Sequence, residues 1–244
     1  MARSPEKQRD PKASLALLWG EQEQPRRGPK PSLTLDRITA TAVAVADAEG
    51  LDAVSMQRVA AELDVTTMAL YRYVPGKTDL IDLMVDTALG APPPGGTEGG
   101  WRPRLTEWAR QCWELYRRHP WILPATAMRR QPMGPNQLAW LDAALAALAD
   151  SGLSPARRHD TFLLIVGHIR SLAQQRLDAN QEDDQEWNRL TAELLERHGP
   201  RFPALTAAIA AGAFAPREED PLAYGLERIL DGVAVLVDRA APQP

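Results

Sequence analysis

Residues 66–77 concentrate side chains that can hydrogen-bond to nucleic acid within a short stretch of chain. Thr67 carries a hydroxyl, Tyr71 a phenol and Arg72 a guanidinium, and Met68 and Ala69 between them are apolar. Such groups can contact base edges and phosphates when a short exposed helix presents them to a major groove. The stretch therefore predicts a DNA-reading helix. The alternative is a helical hairpin buried in an all-α protein, which would not explain the clustered tyrosines and basic side chains.

Two short helices with a tight turn between them are expected to position these side chains. Ser55 can cap the first helix and Thr66 the second, because a hydroxyl accepts a hydrogen bond from a free amide of the first turn. Asp64 interrupts the pattern between them. Apolar residues four apart share one face of a helix, and here they are Val59 with Leu63, then Leu70 with Val74. Longer helices are predicted from Thr34 to Gly50 and from Lys77 onward.

This region resembles the DNA-binding domain of TetR-type transcriptional repressors. The resemblance runs from Leu35 to Leu89 and is carried by VAAEL at 59–63, LYRYVPGK at 70–77 and the Asp79-Leu80 pair. One position departs from the pattern, since Asp64 stands where the family usually has glycine. Asp tolerates a left-handed conformation better than most residues, so we expect the turn to persist at some cost.

The resemblance implies a set of DNA contacts around the second helix. Gln57 matches a position that reaches a base in some members, and Tyr73 and Lys77 match phosphate-binding positions. Gln57 and Arg58 could equally be solvated surface. The full predicted DNA-binding set is Ser55, Gln57, Arg58, Thr66, Thr67, Met68, Ala69, Tyr71, Arg72, Tyr73 and Lys77.

The remainder of the chain, residues 101–244, follows the Gly- and Pro-rich loop 90–100 and shows helical periodicity, except at the acidic and polar stretch 178–186, which is expected to be a loop. It resembles the regulatory domain of the tetracycline-repressor branch through RHPW at 118–121, GPN at 134–136 and FPAL at 202–205. We therefore expect an all-α fold, with a three-helix helix-turn-helix domain at 33–89 and a helical bundle for ligand binding and dimerisation. In the family the last helix and the long helix from Ser154 form the homodimer interface. The predicted contacts are Leu222, Leu226, Ile229, Leu230, Val233 and Val237.

The resemblance also implies a small-molecule effector of unknown identity. Trp108, Trp113, Trp121 and Trp140 could line its pocket, and His168 could hydrogen-bond it, although each could instead be an ordinary core residue. No metal-ligand spacing, phosphate-binding loop or nucleophile motif occurs in the sequence, so no metal, cofactor or catalytic residue is expected. An all-α enzyme and a DNA-binding regulator without an effector are the alternatives.

The resemblance implies a regulator that binds a double-stranded operator as a homodimer, and the composition suits the cytoplasm. The net charge is −4, so any attraction to DNA must come from a few local contacts. Cys112 is the only cysteine and no apolar run is long enough to span a membrane. Residues 1–32 are predicted to be a flexible basic extension. Its Arg26, Arg27 and Lys30 could form an arm that reaches the minor groove or phosphates.

Overall fold

The computed structural model describes residues 10–21, 33–93, 99–127, 132–178, 181–213 and 220–240. Within these ranges the chain forms 12 α-helices and no strand. The all-α prediction is therefore confirmed. The helices are α1 (Pro11–Leu18), α2 (Leu35–Glu49), α3 (Met56–Glu62), α4 (Thr67–Tyr71), α5 (Lys77–Leu89), α6 (Trp101–Arg118), α7 (Ile122–Ala127), α8 (Pro135–Ala147), α9 (Pro155–Asp178), α10 (Gln181–His198), α11 (Pro203–Ala210) and α12 (Pro221–Ala240).

Two hydrophobic cores are arranged along the chain. The first joins α1 to α5 around the helix-turn-helix, which we call the head, and the second joins α6, α8, α9 and α12, which we call the body. Helix α5 belongs to the head through Leu80 and Met84, both 0% exposed, while Leu89 at its end packs against both cores. Helix α5 therefore forms part of the head and contacts the body at its C-terminal end.

Three residues beyond the predicted 33–89 head complete its core. Trp121 and, in α7, Ile122 and Ala125 are buried there, although they follow helix α6 of the body. Helix α7 is short and apolar, and it covers the part of the head core that the three-helix unit leaves open. The head is thus completed by residues that lie far along the sequence.

Part of the predicted N-terminal extension is folded. Helix α1 begins with Asp10, whose carboxylate accepts a hydrogen bond from the backbone of Lys12 at 2.9 Å. Leu17 and Leu18 are buried in the head core, and the Ser14 hydroxyl donates to Asp79 of α5 at 2.8 Å. Flexibility is therefore the wrong description for residues 10–21, because their leucines bury apolar surface. The arm residues Arg26, Arg27 and Lys30 lie outside the described residues.

The predicted dimer-interface residues of α12 face the protein's own body. The residues that the sequence analysis placed between subunits, Leu222, Leu226, Leu230 and Val233, are at most 4% exposed, and Ile229 and Val237 pack against the same core. The four buried side chains are used inside one chain and leave little surface for a partner subunit. Ile229 and Val237 keep part of their surface exposed, so their place in a dimer interface stays a prediction. Tyr224, Val235 and Leu236 lie on the outer face and are 73%, 48% and 39% exposed.

Helices α10 and α11 follow one another along the chain and line a common groove. Their facing sides form an open groove of about 610 Å³, lined mainly by apolar atoms. Trp187, Leu194 and Ile209 remain 68%, 50% and 43% exposed. The sequence predicted a loop over 178–186, whereas α10 already begins at Gln181.

Candidate DNA-binding surface and effector cavity

Hydroxyl caps fix the start of both helices of the helix-turn-helix. The Ser55 hydroxyl accepts a hydrogen bond from the backbone amide of Arg58 at 3.0 Å, and the Thr66 hydroxyl accepts one from the amide of Ala69 at 3.3 Å. These are the caps that the sequence predicted. Because both hydroxyls satisfy free amides at the helix ends, Ser55 and Thr66 help to hold α3 and α4 in place.

The turn between α3 and α4 depends on a left-handed residue. Asp64 has a φ of 54°, and within the described residues it is the only non-glycine residue with a positive φ. The turn is closed by the amide of Val65, which donates to the carbonyl of Ala60 at 3.0 Å. Val59 and Leu70 are fully buried on either side. The aspartate thus adopts the conformation that glycine provides more cheaply.

Helix α4 presents a small exposed face. It ends at Tyr71, earlier than the periodicity suggested, because Arg72 and Tyr73 form a turn before buried Val74. Met68 is 72% exposed and Tyr71 is 44% exposed, whereas Thr67 and Ala69 are half-buried beside them.

The basic residues around this face differ in whether a carboxylate already pairs with them. Arg72 and Lys77 are exposed and form no ion pair with any described residue. Arg58 donates to Glu49 at 2.7 Å and also pairs with Glu62. Arg58 therefore carries a neutralised charge, and any DNA contact through its guanidinium would have to displace a carboxylate. Gln57 next to it is exposed.

A partly open cavity of about 120 Å³ lies in the body between α5, α6, α8 and α9. Aromatic rings form much of its wall, since Trp108 lies 6.1 Å from Trp140 and 5.8 Å from Phe162 between ring centroids. Tyr116 and Cys112 also face it, and Gln137 is the one side-chain amide in its lining. This combination of aromatic walls and few polar groups is typical of a small-molecule site.

Two of the five predicted pocket residues, Trp108 and Trp140, line this cavity, and three do not. Trp113 packs elsewhere in the body, where its ring lies beneath the Arg176 guanidinium, and Trp121 is buried in the head core. His168 lies between α9 and α12, where a side chain at Gly225 would collide with its ring. Its Nε2 atom is buried and has no hydrogen-bond partner among the described residues.

Sequence reasoning missed Cys112, Tyr116 and Phe162 as lining residues. A signal for two of them was present, because Cys112 and Tyr116 follow Trp108 at intervals of four and therefore share its helix face. Phe162 is set on a different helix, and only tertiary structure brings it to Trp108.

One polar cluster adjoins the cavity. The Arg170 guanidinium donates to the Tyr116 phenol oxygen at 3.0 Å and to the Thr126 hydroxyl at 2.8 Å. Burial raises the pKa of the Cys112 thiol to about 12, although the nearby charge of Arg170 opposes the shift. Burial also raises the pKa of Tyr116, again against the influence of Arg170. Both acids are therefore neutral at physiological pH.

Hydrogen bonds join the cavity wall to the end of α5. The Trp140 indole donates to the backbone carbonyls of Leu89 at 3.3 Å and Gly90 at 3.0 Å, and its own carbonyl accepts from the Trp108 indole at 3.0 Å. One turn earlier on α5, the Asp86 carboxylate accepts from the backbone of Gln137 at 3.0 Å, at the start of α8. These hydrogen bonds tie Trp140 and the start of α8 to the C-terminal end of α5.

A second link connects the head to the body near α7. The Asp47 carboxylate of α2 contacts the His119 ring nitrogen at 2.7 Å and accepts from the Trp121 indole at 2.6 Å. The RHPW segment that carries the resemblance therefore has a structural role, because its His and Trp hold α2. Among the described residues, no cluster of His, Cys, Asp and Glu could hold a metal ion.

The chain matches two families in succession. Residues 38–84 match the bacterial regulatory proteins of the tetR family, and residues 93–237 match the tetracyclin repressor-like C-terminal domain. The HTH-type transcriptional repressor DrrR1 of Streptomyces coeruleorubidus is 40% identical over 234 residues, which cover 92% of this chain and 86% of that protein. An HTH-type transcriptional regulator of Saccharopolyspora erythraea is 33% identical over 140 residues, covering 57% of this chain and 58% of that protein.

Solved structures agree with these matches. Apo ActR from Streptomyces coelicolor has a TM-score of 0.72 and 26% identity, covering 87% of this chain and 100% of ActR. ActR in complex with actinorhodin has a TM-score of 0.71 and 28% identity over the same shares of the two chains. ActR has also been solved with (S)-DNPA, with a TM-score of 0.71 and 28% identity over 84% of this chain and 98% of ActR.

The head, the body and these matches define a transcriptional regulator with a helix-turn-helix, and not an enzyme. The chain belongs to the TetR family, and it is a transcriptional repressor of that family. The resemblance found in the sequence is thereby confirmed. Within the described residues, no helix has the length and apolar character needed to cross a bilayer.

Proposed function

We propose that this repressor binds a palindromic operator as a homodimer and is released from it by a small molecule that enters the aromatic cavity. The observation that carries the proposal is the link between two surfaces. The exposed face of α4 is joined through α5 to Trp140, which is a wall of the cavity. One rigid helix therefore connects the proposed DNA site to the proposed effector site.

In the proposed complex, α4 enters the major groove. Met68 is the most exposed side chain of α4 and, with Thr67 and Ala69, would contact base edges, while Tyr71 and Arg72 would contact bases or backbone. Tyr73 and Lys77 would bind phosphate, and the free amides at the start of α5 would assist Lys77 there. Gln57 could pair with an adenine, since a side-chain amide matches its N6 and N7 atoms.

The proposed dimer uses the outer faces of α9 and α12. These helices pack on one another through their inner faces, and their outer faces carry exposed apolar side chains: Leu163, Leu164, Tyr224, Val235 and Leu236. A two-fold axis through this surface would bury them against the same residues of the partner. The two copies of α4 would then reach successive major grooves, about 34 Å apart on B-DNA.

Release would follow from a difference in affinity between two arrangements of the body. A ligand that fits a wider cavity shifts the population toward that arrangement in proportion to its differential affinity. Widening the cavity would displace Trp140 and, through its bonds to the Leu89 and Gly90 carbonyls, the end of α5. The two copies of α4 would no longer match the spacing of the grooves. The ActR complexes with actinorhodin and (S)-DNPA support a small-molecule effector for this fold.

The DNA proposal can be tested by selecting bound duplexes from random DNA and then measuring affinity at several salt concentrations. We expect a palindromic site. Lys77→Ala should weaken every sequence equally and flatten the plot of log affinity against log salt by roughly 0.9 per lost phosphate contact. Thr67→Ala is the matched variant on the reading face, and it should change the preferred base while leaving the salt slope intact. An altered base preference with an unchanged slope for Lys77→Ala would refute these roles.

A regulator without an effector is the second candidate, because the cavity of about 120 Å³ is smaller than the usual ligand range of about 300–1,000 Å³. Quenching of tryptophan emission separates the two, since Trp108 and Trp140 form the cavity wall. A panel of flat aromatic compounds should include one that quenches emission and releases operator DNA. If Val166→Phe, which fills the cavity, leaves such quenching unchanged, the compound binds elsewhere and the sensor proposal fails.

A further inference from the structure

Arg170 has an unusual environment for a charged residue. It is half-buried on α9, and its two hydrogen-bond acceptors are the neutral oxygens of Tyr116 and Thr126. Its guanidinium carbon lies 6.0 Å from the centre of the Tyr116 ring. These contacts orient the guanidinium but do not neutralise it.

Within the described part of the chain, no carboxylate forms an ion pair with Arg170. Other arginines differ in this respect, since Arg102 pairs with Asp231 at 2.6 Å and Arg189 with Glu186 at 2.6 Å. The nearby acids, Cys112 and Tyr116, stay protonated because burial opposes their ionisation. A half-buried cation without a counter-ion carries an uncompensated desolvation cost.

The position of Arg170 places it at one end of the cavity wall. Phe162, Val166 and Arg170 follow one another at intervals of four on α9 and so share a helix face. The first two line the cavity, as does Tyr116, to which Arg170 is bonded. Arg170 itself does not line the cavity but lies one helical turn beyond Val166 and is bonded to Tyr116, which does. Contact between its guanidinium and a ligand would require the Tyr116 ring to shift.

We propose that the effector is an aromatic compound with an acidic group, such as a carboxylate, and that Arg170 is the residue that pairs with that group. This inference rests on the proposed sensor function and names the chemical class of its ligand. The planar guanidinium offers parallel N–H donors that match a carboxylate, and such charged hydrogen bonds are stronger than neutral ones. The aromatic walls formed by Trp108, Trp140 and Phe162 would hold the rings of the compound.

The test uses two compounds of the same shape, 2-naphthoate and 2-naphthamide, which differ in charge. Affinity for the full-length protein is measured by calorimetry and by quenching of tryptophan emission. The wild type should prefer the acid by about tenfold or more, the amount expected for one charged hydrogen bond. Arg170→Gln should lose that preference, because the amide can still donate to Tyr116 or Thr126 but has no charge.

Two further variants serve as controls. Arg170→Lys keeps the charge without the planar fork, so it should retain part of the preference for the acid. Arg176→Gln removes another cation from the same helix, one whose guanidinium lies over Trp113 and away from the cavity, and it should leave the preference unchanged. Melting temperatures of all three variants verify that the fold is intact.

The outcomes separate this inference from the sensor proposal. If both compounds bind the wild type equally, or if Arg170→Gln keeps the preference for the acid, the role of Arg170 is refuted while the cavity remains a ligand site. If neither compound binds the wild type, the class of effector named here is wrong, and the sensor proposal then depends on the broader panel of compounds. A preference that Arg176→Gln abolishes equally would also refute the assignment, because it would reflect overall charge.

Discussion

Two leucines on the last helix provide a sharp test of which face of α12 meets a partner subunit. Leu230 is 2% exposed and packs in the body core, whereas Leu236 is 39% exposed on the outer face. Replacing each by aspartate introduces the same charge in opposite environments. Removing a buried leucine side chain alone costs about 2–5 kcal/mol. An unpaired buried carboxylate adds several more, against a typical total stability of about 5–15 kcal/mol.

Leu230→Asp should therefore unfold the body or leave it aggregated. Leu236→Asp should change the free energy of unfolding of one protomer by only about 0.5 kcal/mol, as surface substitutions usually do. In the proposed two-fold dimer, however, each subunit would bring its new carboxylate to the same interface, and repulsion would act against association. We expect its dimer dissociation constant to rise by at least about tenfold, which corresponds to about 1.4 kcal/mol.

Sedimentation equilibrium measures the dissociation constant, and circular dichroism during heating measures folding. The expected pattern is a folded, largely monomeric Leu236→Asp and a Leu230→Asp without a cooperative transition. A folded, monomeric Leu230→Asp with a native melting temperature would show that the buried stripe forms the interface after all. A fully dimeric Leu236→Asp would show that the outer face of α12 does not.

Three further predictions concern the head and its connections. Asp64→Gly should raise the free energy of unfolding by about 1 kcal/mol in denaturant titrations, because glycine adopts the observed left-handed φ without strain. Burial raises the pKa of Asp86, so the folded protein binds that proton more tightly than the unfolded chain does. Stability should therefore fall as pH rises from the ordinary aspartate pKa of about 4 through the raised value, and Asp86→Asn should remove that part of the pH dependence in urea titrations. Replacing Arg26, Arg27 and Lys30 together by alanine should make the salt slope of DNA binding shallower by up to about 2.7 if each neutralises one phosphate, and an unchanged slope would exclude the arm. Deleting residues 1–31 is a poorer test, because it also removes α1 from the head core.

The helix-turn-helix of the head was predicted well from the sequence, because its caps and turn depend on residues close together in the chain. The hydroxyls of Ser55 and Thr66 each accept a hydrogen bond from the backbone amide three residues later, as expected for helix caps. The turn at Asp64 has the left-handed conformation that the missing glycine implied. The exposure of Met68 follows from the burial of Leu70 on the same short helix.

The body was harder to predict because an apolar helix face does not show which surface it packs against. The stripe of α12, exemplified by Leu230, fits a subunit interface and an intramolecular core equally well, and only tertiary structure decides between them. The same holds for the tryptophans, since Trp113 and Trp140 have similar exposure but only Trp140 faces the cavity. Arg170 carried no sequence signal at all, because the role proposed for it depends on tertiary structure: no described carboxylate forms an ion pair with it.

The separation of the two hydrophobic cores also affects how this protein can change over evolutionary time. Among the residues that the structure describes, only Leu89 and Tyr116 pack against both cores, so most substitutions in one core should leave the packing of the other undisturbed. Residues on the face of α4 can therefore drift toward a new operator while the cavity keeps its ligand, and the cavity can acquire a new ligand while the operator stays the same. The residues that must be inherited together are those that form hydrogen bonds between head and body. Examples are Asp86 with the start of α8, and Asp47 with Trp121. A chimera that exchanges whole heads between relatives should respond to its effector only if these contacts are carried across with the head.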